Sequence, residues 1–100
     1  MITTLTIDGH KALICLKGDF TTDEAEGFQQ KTAPVMAGGF DVAVMDLADL
    51  EFISSTGIRC FIMLLKACES KGTALKLRNL TPQIQDIFSL TALLDRFDIE

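Results

Sequence analysis

Tryptophan and tyrosine are absent from these 100 residues, and the aromatic side chains are seven phenylalanines. Core packing must therefore rest on Leu, Ile, Val, Ala and Met with a few Phe rings, because no indole or phenol is present to carry a polar tip inside. Basic residues are also scarce. Nine Lys and Arg face fourteen Asp and Glu, giving a net charge of −5 and a pI of about 4.7. Affinity for a phosphate backbone needs clustered cations, so this balance, without a basic stripe, argues against a nucleic-acid binder. Cys15, Cys60 and Cys68 are odd in number and show no Cys-x-x-Cys spacing. They predict neither a disulfide framework nor a zinc site, but reduced, partly buried thiols. No cofactor or metal is expected. Nothing approaches the roughly 20-residue apolar span of a transmembrane helix. Met1-Ile2-Thr3-Thr4-Leu5 also lacks the regions of a signal peptide, so a cytoplasmic location is expected.

What is present suffices for one α/β domain over residues 1–100, since 48% of the chain is hydrophobic. Met1 to Ile7 and Lys11 to Leu16 read as strands, and Asp8-Gly9 between them predicts a tight hairpin in which both turn residues take positive φ. His10, the one histidine, falls at that turn. Gly18-Asp19-Phe20 leaves the second strand, and Thr21 with Glu24 predicts a capping box at the start of an amphipathic helix. Ala25, Phe28, Thr32, Val35 and Met36 form its apolar side, Pro34 weakens its last turn, and Gly38-Gly39 ends it.

Asp41 to Leu47 is short, apolar and bounded by turn residues, as expected of a central strand covered on both faces. Its interior charge, Asp46, belongs at the carboxyl edge of the sheet with hydrogen-bond partners. Ala48 to Glu51 is then a crossing segment. A helix over about Ser55 to Ser70 follows, with Ile58, Phe61, Ile62, Leu65 and Cys68 as its core face and Lys71-Gly72 as its stop. Its other side is poor in polar groups, so Leu64 and Ala67 fit either a further core layer or a docking face. Ala74 to Leu80 alternates as a half-exposed edge strand does, and Thr81-Pro82 starts another helix with Ile84, Ile87 and Phe88 as its stripe. Leu93, Leu94 and Phe97 are expected to close the domain as a last turn or short helix.

Between the aspartate strand and the apolar helix lies Phe52-Ile53-Ser54-Ser55-Thr56-Gly57-Ile58-Arg59. One hydroxyl suffices to cap a helix, and three stand in a row. The amides of a helix N-terminus favour an anion, so this junction is suited to carry a phosphate on one of its hydroxyls; a simple cap is the plainer alternative. A serine nucleophile needs a positioned base. His10 is expected at a hairpin, and Lys66 and Lys71 lie far along the helix, so no enzymatic activity is expected.

Val44-Met45-Asp46-Leu47, the Ser54-Ser55-Thr56-Gly57 junction, Leu75-Lys76-Leu77-Arg78-Asn79-Leu80-Thr81-Pro82 and the stretch from Leu90 to Phe97, in this order, resemble the STAS domain of bacterial anti-sigma factor antagonists. The resemblance spans almost the whole chain. It implies a four- or five-stranded mixed sheet with helices packed on it. It also implies a partner-switching regulator that binds a serine kinase of the histidine-kinase-like ATPase type, is released when that kinase phosphorylates it, and is reset by a phosphatase. The family's acceptor maps onto Ser55, with Ser54 and Thr56 as fallbacks. The implied partner face comprises Ser54, Ser55, Thr56, Gly57, Arg59, Cys60 and Met63, with Asp19 and Thr21 at its rim. Ser54 and Thr21 stand where many members have aspartate. A non-switching STAS subunit of a lipid-transport or stress-sensing assembly is the alternative.

Overall fold

The computed structural model describes residues 1–90 and 95–100. In chain order it contains β1 (Ile2–Asp8), β2 (Lys11–Phe20), a 3-10 turn (Thr22–Glu24), α1 (Ala25–Met36), β3 (Val42–Ile53), α2 (Ser55–Lys71), β4 (Ala74–Arg78), α3 (Pro82–Leu90) and β5 (Asp98–Ile99). The five strands form one sheet in the order β1-β2-β3-β4-β5. Only β1 and β2 are antiparallel; the other neighbours run parallel, so the sheet is mixed as expected. Of the expected closing segment, Leu93 and Leu94 lie outside the described residues, whereas Phe97 is buried with its ring 5.9 Å from that of Phe88.

The hairpin forms one residue later than Asp8-Gly9 predicts. Asp8 pairs with Lys11, leaving Gly9 and His10 as the turn, and of these Gly9 alone has positive φ (60°). Positive φ at only the first central position is the type II′ pattern, in which glycine leads and the second residue is free to be histidine.

The strands along the sheet centre are longer than expected. β2 continues through Gly18 to Phe20, and β3 absorbs the supposed crossing Ala48 to Glu51 and runs to Ile53. Two register shifts, between Cys15 and Lys17 and between Gly18 and Asp19, make this possible. Each gives β3 one more residue than β2, and Gly18 absorbs the local bend at φ 103°. Turn-rich composition therefore marked bulges rather than strand ends.

Helices pack on one face of the sheet. Ile14 and Leu16 of β2, Met45 and Leu47 of β3, and Leu77 of β4 are buried on that side with Phe28, Phe61, Ile84 and Phe88 from the helices. Burying each such side chain contributes about 1.5–3 kcal/mol. The opposite side, with Leu13, Val44, Lys76 and Arg78, is only half-buried. Thus β3 is not covered on both faces; its interior run is apolar, but Val42 and Val44 lie on the open side. Nor is β4 the edge, because the two-residue β5 pairs beyond it.

The capping box does not form. Thr21 makes no side-chain cap bond, the 3-10 turn intervenes, and Glu24 instead binds the Met1 α-amino group at 3.0 Å. By contrast Thr81 caps α3 through the Ile84 amide, and Gly72 closes α2 at φ 75°. Asp46 pairs with Arg78, the last residue of β4, and so lies at that strand's carboxyl end although β3 continues.

Candidate functional site

β2 and β3 end together, Phe20 opposite Ile53, and the Ser54 amide donates to the Phe20 carbonyl at 2.9 Å. That bond carries the sheet register into the first residue of the junction. Ser54 keeps extended backbone (φ −78°, ψ 168°) and its Oγ accepts from the Gly57 amide at 3.1 Å, while its carbonyl receives the first helical bond from Ile58. It is a full N-cap.

Gly57 sets how closely α2 approaches the strands. A Cβ there would lie 2.7 Å from Ile53 Cγ1 and 2.9 Å from the Phe20 ring. The residue is needed for space, since it holds ordinary helical geometry. The helix start thereby rests on the strand ends, and the three hydroxyls sit at the carboxyl end of the parallel strands, where open α/β sheets commonly carry function.

The three hydroxyls differ in what they do. Ser54 is committed to its cap. Thr56 Oγ1 accepts from Thr22 Oγ1 at 3.3 Å, across from the 3-10 turn. Ser55, the first residue of α2, is exposed, and its hydroxyl makes no hydrogen bond among the described residues.

Around Ser55, Arg59 is exposed one helical turn on and Met63 is 43% exposed two turns on. Ile58 and Ile62 are half-buried beside them. Asp19 and Thr21 are both exposed at the same end of the sheet, Asp19 opposite Phe52 in the register. Phe52 is 45% exposed, whereas its neighbour Ile53 is buried against Gly57 of α2, so strand alternation turns Phe52 toward the open side of the sheet.

Cys60 does not join this surface. It is 4% exposed, its thiol lies 3.8 Å from Gln29 Nε2 of α1, and burial raises its pKa despite that contact and the nearby Arg59 charge. Leu64 is buried as well, so the core side of α2 is wider than the expected stripe. α1 packs against α2 on this side and accounts for the added width. Of the two readings of Leu64, core packing holds; Ala67 is half-buried.

His10 lies far from the hydroxyls. It sits before the amino end of β2, with Nδ1 3.3 Å from the Gly39 carbonyl, whereas Ser55 follows the carboxyl ends of β2 and β3. The ten-residue β2 separates them by about 30 Å. A cavity of about 330 Å³ opens elsewhere, with Lys17, Asp49, Glu51, Thr81 and Gln83 on its wall and none of the three hydroxyls.

Behind the site, Asp46 accepts from the Ala48 amide at 3.1 Å, Asn79 Nδ2 at 3.2 Å and Arg78 Nε at 3.2 Å. Desolvation pushes its carboxyl upward, but these bonds and the Arg78 charge outweigh that and hold it below the usual aspartate value. Asn79 reaches it from a left-handed backbone at φ 59°, a conformation asparagine tolerates better than most residues. No helix among the described residues is long and apolar enough to cross a membrane.

The family model described as "Mlab, STAS domain" matches residues 3–97. Over 84 residues the chain is 30% identical to the anti-sigma-B factor antagonist of Bacillus subtilis, covering 84% of this chain and 76% of that protein. A putative anti-sigma factor antagonist from Thermotoga maritima superposes with a TM-score of 0.86 at 19% identity, over 97% of this chain and 84% of that one. The Bacillus cell fate determinant SpoIIAA in its phosphorylated form superposes at 0.75 and 18% identity, over 99% of this chain and 91% of that one. The fold, the order of its elements and the family match along nearly the whole chain together place this protein in the STAS domain family, which includes the anti-sigma factor antagonists.

Proposed function

We propose that this chain is a partner-switching regulator whose unphosphorylated form binds a serine kinase of the histidine-kinase-like ATPase type that serves as an anti-sigma factor. Phosphorylation of Ser55 releases it and a phosphatase resets it, all within the cytoplasm. The observation that carries the reading is the division of labour at the junction. Ser54 caps the helix and Thr56 is bonded to Thr22, while Ser55 is exposed and uncommitted on the same helix as exposed Arg59 and Met63.

In the transfer, the Ser55 Oγ–P bond forms as the bond from the ATP γ-phosphorus to its bridging oxygen breaks. ADP leaves, and the hydroxyl proton passes to the kinase. The domain itself is the substrate and performs no chemistry, consistent with the distance of His10 from the hydroxyls.

The added charge, about −1.5 to −2, is tolerated at the start of α2. Within an interface it is desolvated against a surface built for a neutral hydroxyl. Added charge that the partner surface leaves unpaired there costs roughly 2–5 kcal/mol, or about thirtyfold to several-thousandfold in affinity. One hydroxyl is thus enough to switch binding without rearranging the fold.

The test is capture from source-cell lysate with wild type, Ser55→Ala and Ser55→Asp, identifying retained proteins by mass spectrometry. An ATPase-type serine kinase on wild type and the alanine form, but not on the aspartate form, is the expected result. The same partner on all three would make Ser55 a passive surface residue and the domain a constitutive subunit of a lipid-transport or stress-sensing assembly.

A further inference from the structure

Arg59 stands four residues after Ser55, and both are on the exposed side of α2. Side chains at that spacing are neighbours on a helix, and an anion placed N-terminal to a cation is the favourable order. The Arg59 guanidinium is also unengaged. Among the described residues it makes no ion pair or hydrogen bond, whereas Arg78 is held on Asp46 at 3.2 Å. A cation within one turn of the uncommitted hydroxyl therefore has no structural duty.

We propose that Arg59 is the intrahelical receptor for a phosphate carried by Ser55. The inference rests on the reading of Ser55 as the acceptor and extends it to how the modified state is held. A phosphoserine presents three strong acceptor oxygens, and a guanidinium fork meets them with two parallel N–H donors. Lysine at this position offers only a point charge. Phosphorylation then changes the surface at two places: a dianion appears at Ser55, and the Arg59 cation turns from the partner side onto it. An acidic partner group that pairs with Arg59 in the unmodified complex loses that contact when the phosphate arrives.

The experiment places phosphoserine at position 55 during synthesis, so that no kinase is involved, in the wild-type chain and in Arg59→Gln and Arg59→Lys. Phosphorus NMR then follows the second ionisation of the phosphate, which lies near pH 6 for an unperturbed group. Asp19 at the end of β2 and Asp23 on the 3-10 turn are acidic groups on the elements that meet the start of α2, and they and the α2 amides act on the phosphate alike in every form. Comparison across the variants isolates Arg59.

The wild-type phosphate is expected to titrate about 0.15–0.4 pH unit below that of Arg59→Gln. The gap should narrow near 0.5 M salt, and Arg59→Lys should retain part of it. The Arg59 Nε–H resonance is also expected to move with the phosphate titration in the phosphorylated chain and to stay still in the unmodified one. Equal phosphate pKa values in wild type and Arg59→Gln, or a motionless Arg59 resonance, would overturn the proposal. Mapping of the phosphate in source cells to another residue would instead overturn the acceptor reading, and it leaves this comparison intact.

Discussion

Thr22 Oγ1 donates to Thr56 Oγ1 at 3.3 Å, tying the turn before α1 to the start of α2. The bond spans 34 positions and removes Thr56 from the free hydroxyls of the junction. Ser54 is removed by its cap, so the surface offers Ser55.

Because Ser54 and Ser55 have different duties, alanine at each should have unequal consequences for stability. Ser54→Ala loses the bond to the Gly57 amide and is expected to cost about 1 kcal/mol. Ser55→Ala should stay within about ±0.5 kcal/mol, as surface changes away from special features do. Urea denaturation checks both, and a larger loss for Ser55→Ala would assign the cap to the wrong serine.

Gly57→Ala is the sharpest test of the helix-to-strand approach. The new methyl would sit 2.7 Å from Ile53 Cγ1 and against the Phe20 ring, both buried, and neither can move away freely. A loss of about 1–3 kcal/mol is expected from overpacking. An unfolding midpoint matching wild type would show that the strand ends and α2 relax apart at no cost.

Asp46 gives the fold a pH-dependent contribution. A carboxyl held below its ordinary value of 3.8 in the folded protein stabilises fully above that value, and the contribution fades as pH falls through the lower folded value. Asp46→Asn should therefore be less stable than wild type at neutral pH, with the gap closing below about pH 4. The difference at pH 7 is about 0.5–1 kcal/mol, kept small because Arg78 is 39% exposed and screened by solvent. Urea midpoints at pH 7 and pH 3 measure it. A gap unchanged by pH would mean that the ionised carboxylate contributes nothing beyond its hydrogen-bonding shape.

Met63 is 43% exposed, so Met63→Lys should leave the unfolding midpoint within about 0.5 kcal/mol of wild type. Partner retention in the capture experiment should nevertheless be lost, because a charge replaces apolar contact in the proposed interface. Undiminished retention would take this part of α2 out of the partner face.

Most helices, and the cores of the central strands, were legible locally. The α2 stop at Lys71-Gly72, the Thr81 cap and the apolar run from Val42 to Leu47 depend on a few adjacent residues, and the structure contains each. The capping box was equally local and still failed. Thr21 to Glu24 forms a tight 3-10 turn, and Glu24 has a stronger partner in the Met1 ammonium, which comes from the far end of β1. Similarly, Ala48 to Glu51 looked like a crossing because its polar residues break the apolar pattern, yet β2 pairs alongside and carries it as bulged strand.

The sequence by itself determined that a hydroxyl-rich junction would sit between an apolar strand and an apolar helix, since capping chemistry and hydrophobic period act over a few residues. Tertiary structure alone decided which hydroxyl is free and which neighbours it has. Thr22 reaches Thr56 only after α1 docks on α2, and the same docking buries Cys60 and Leu64 while leaving Met63 outside. Those outcomes depend on the relative placement of elements distant in the chain, set by the register of β2 against β3 and by the close approach that Gly57 permits.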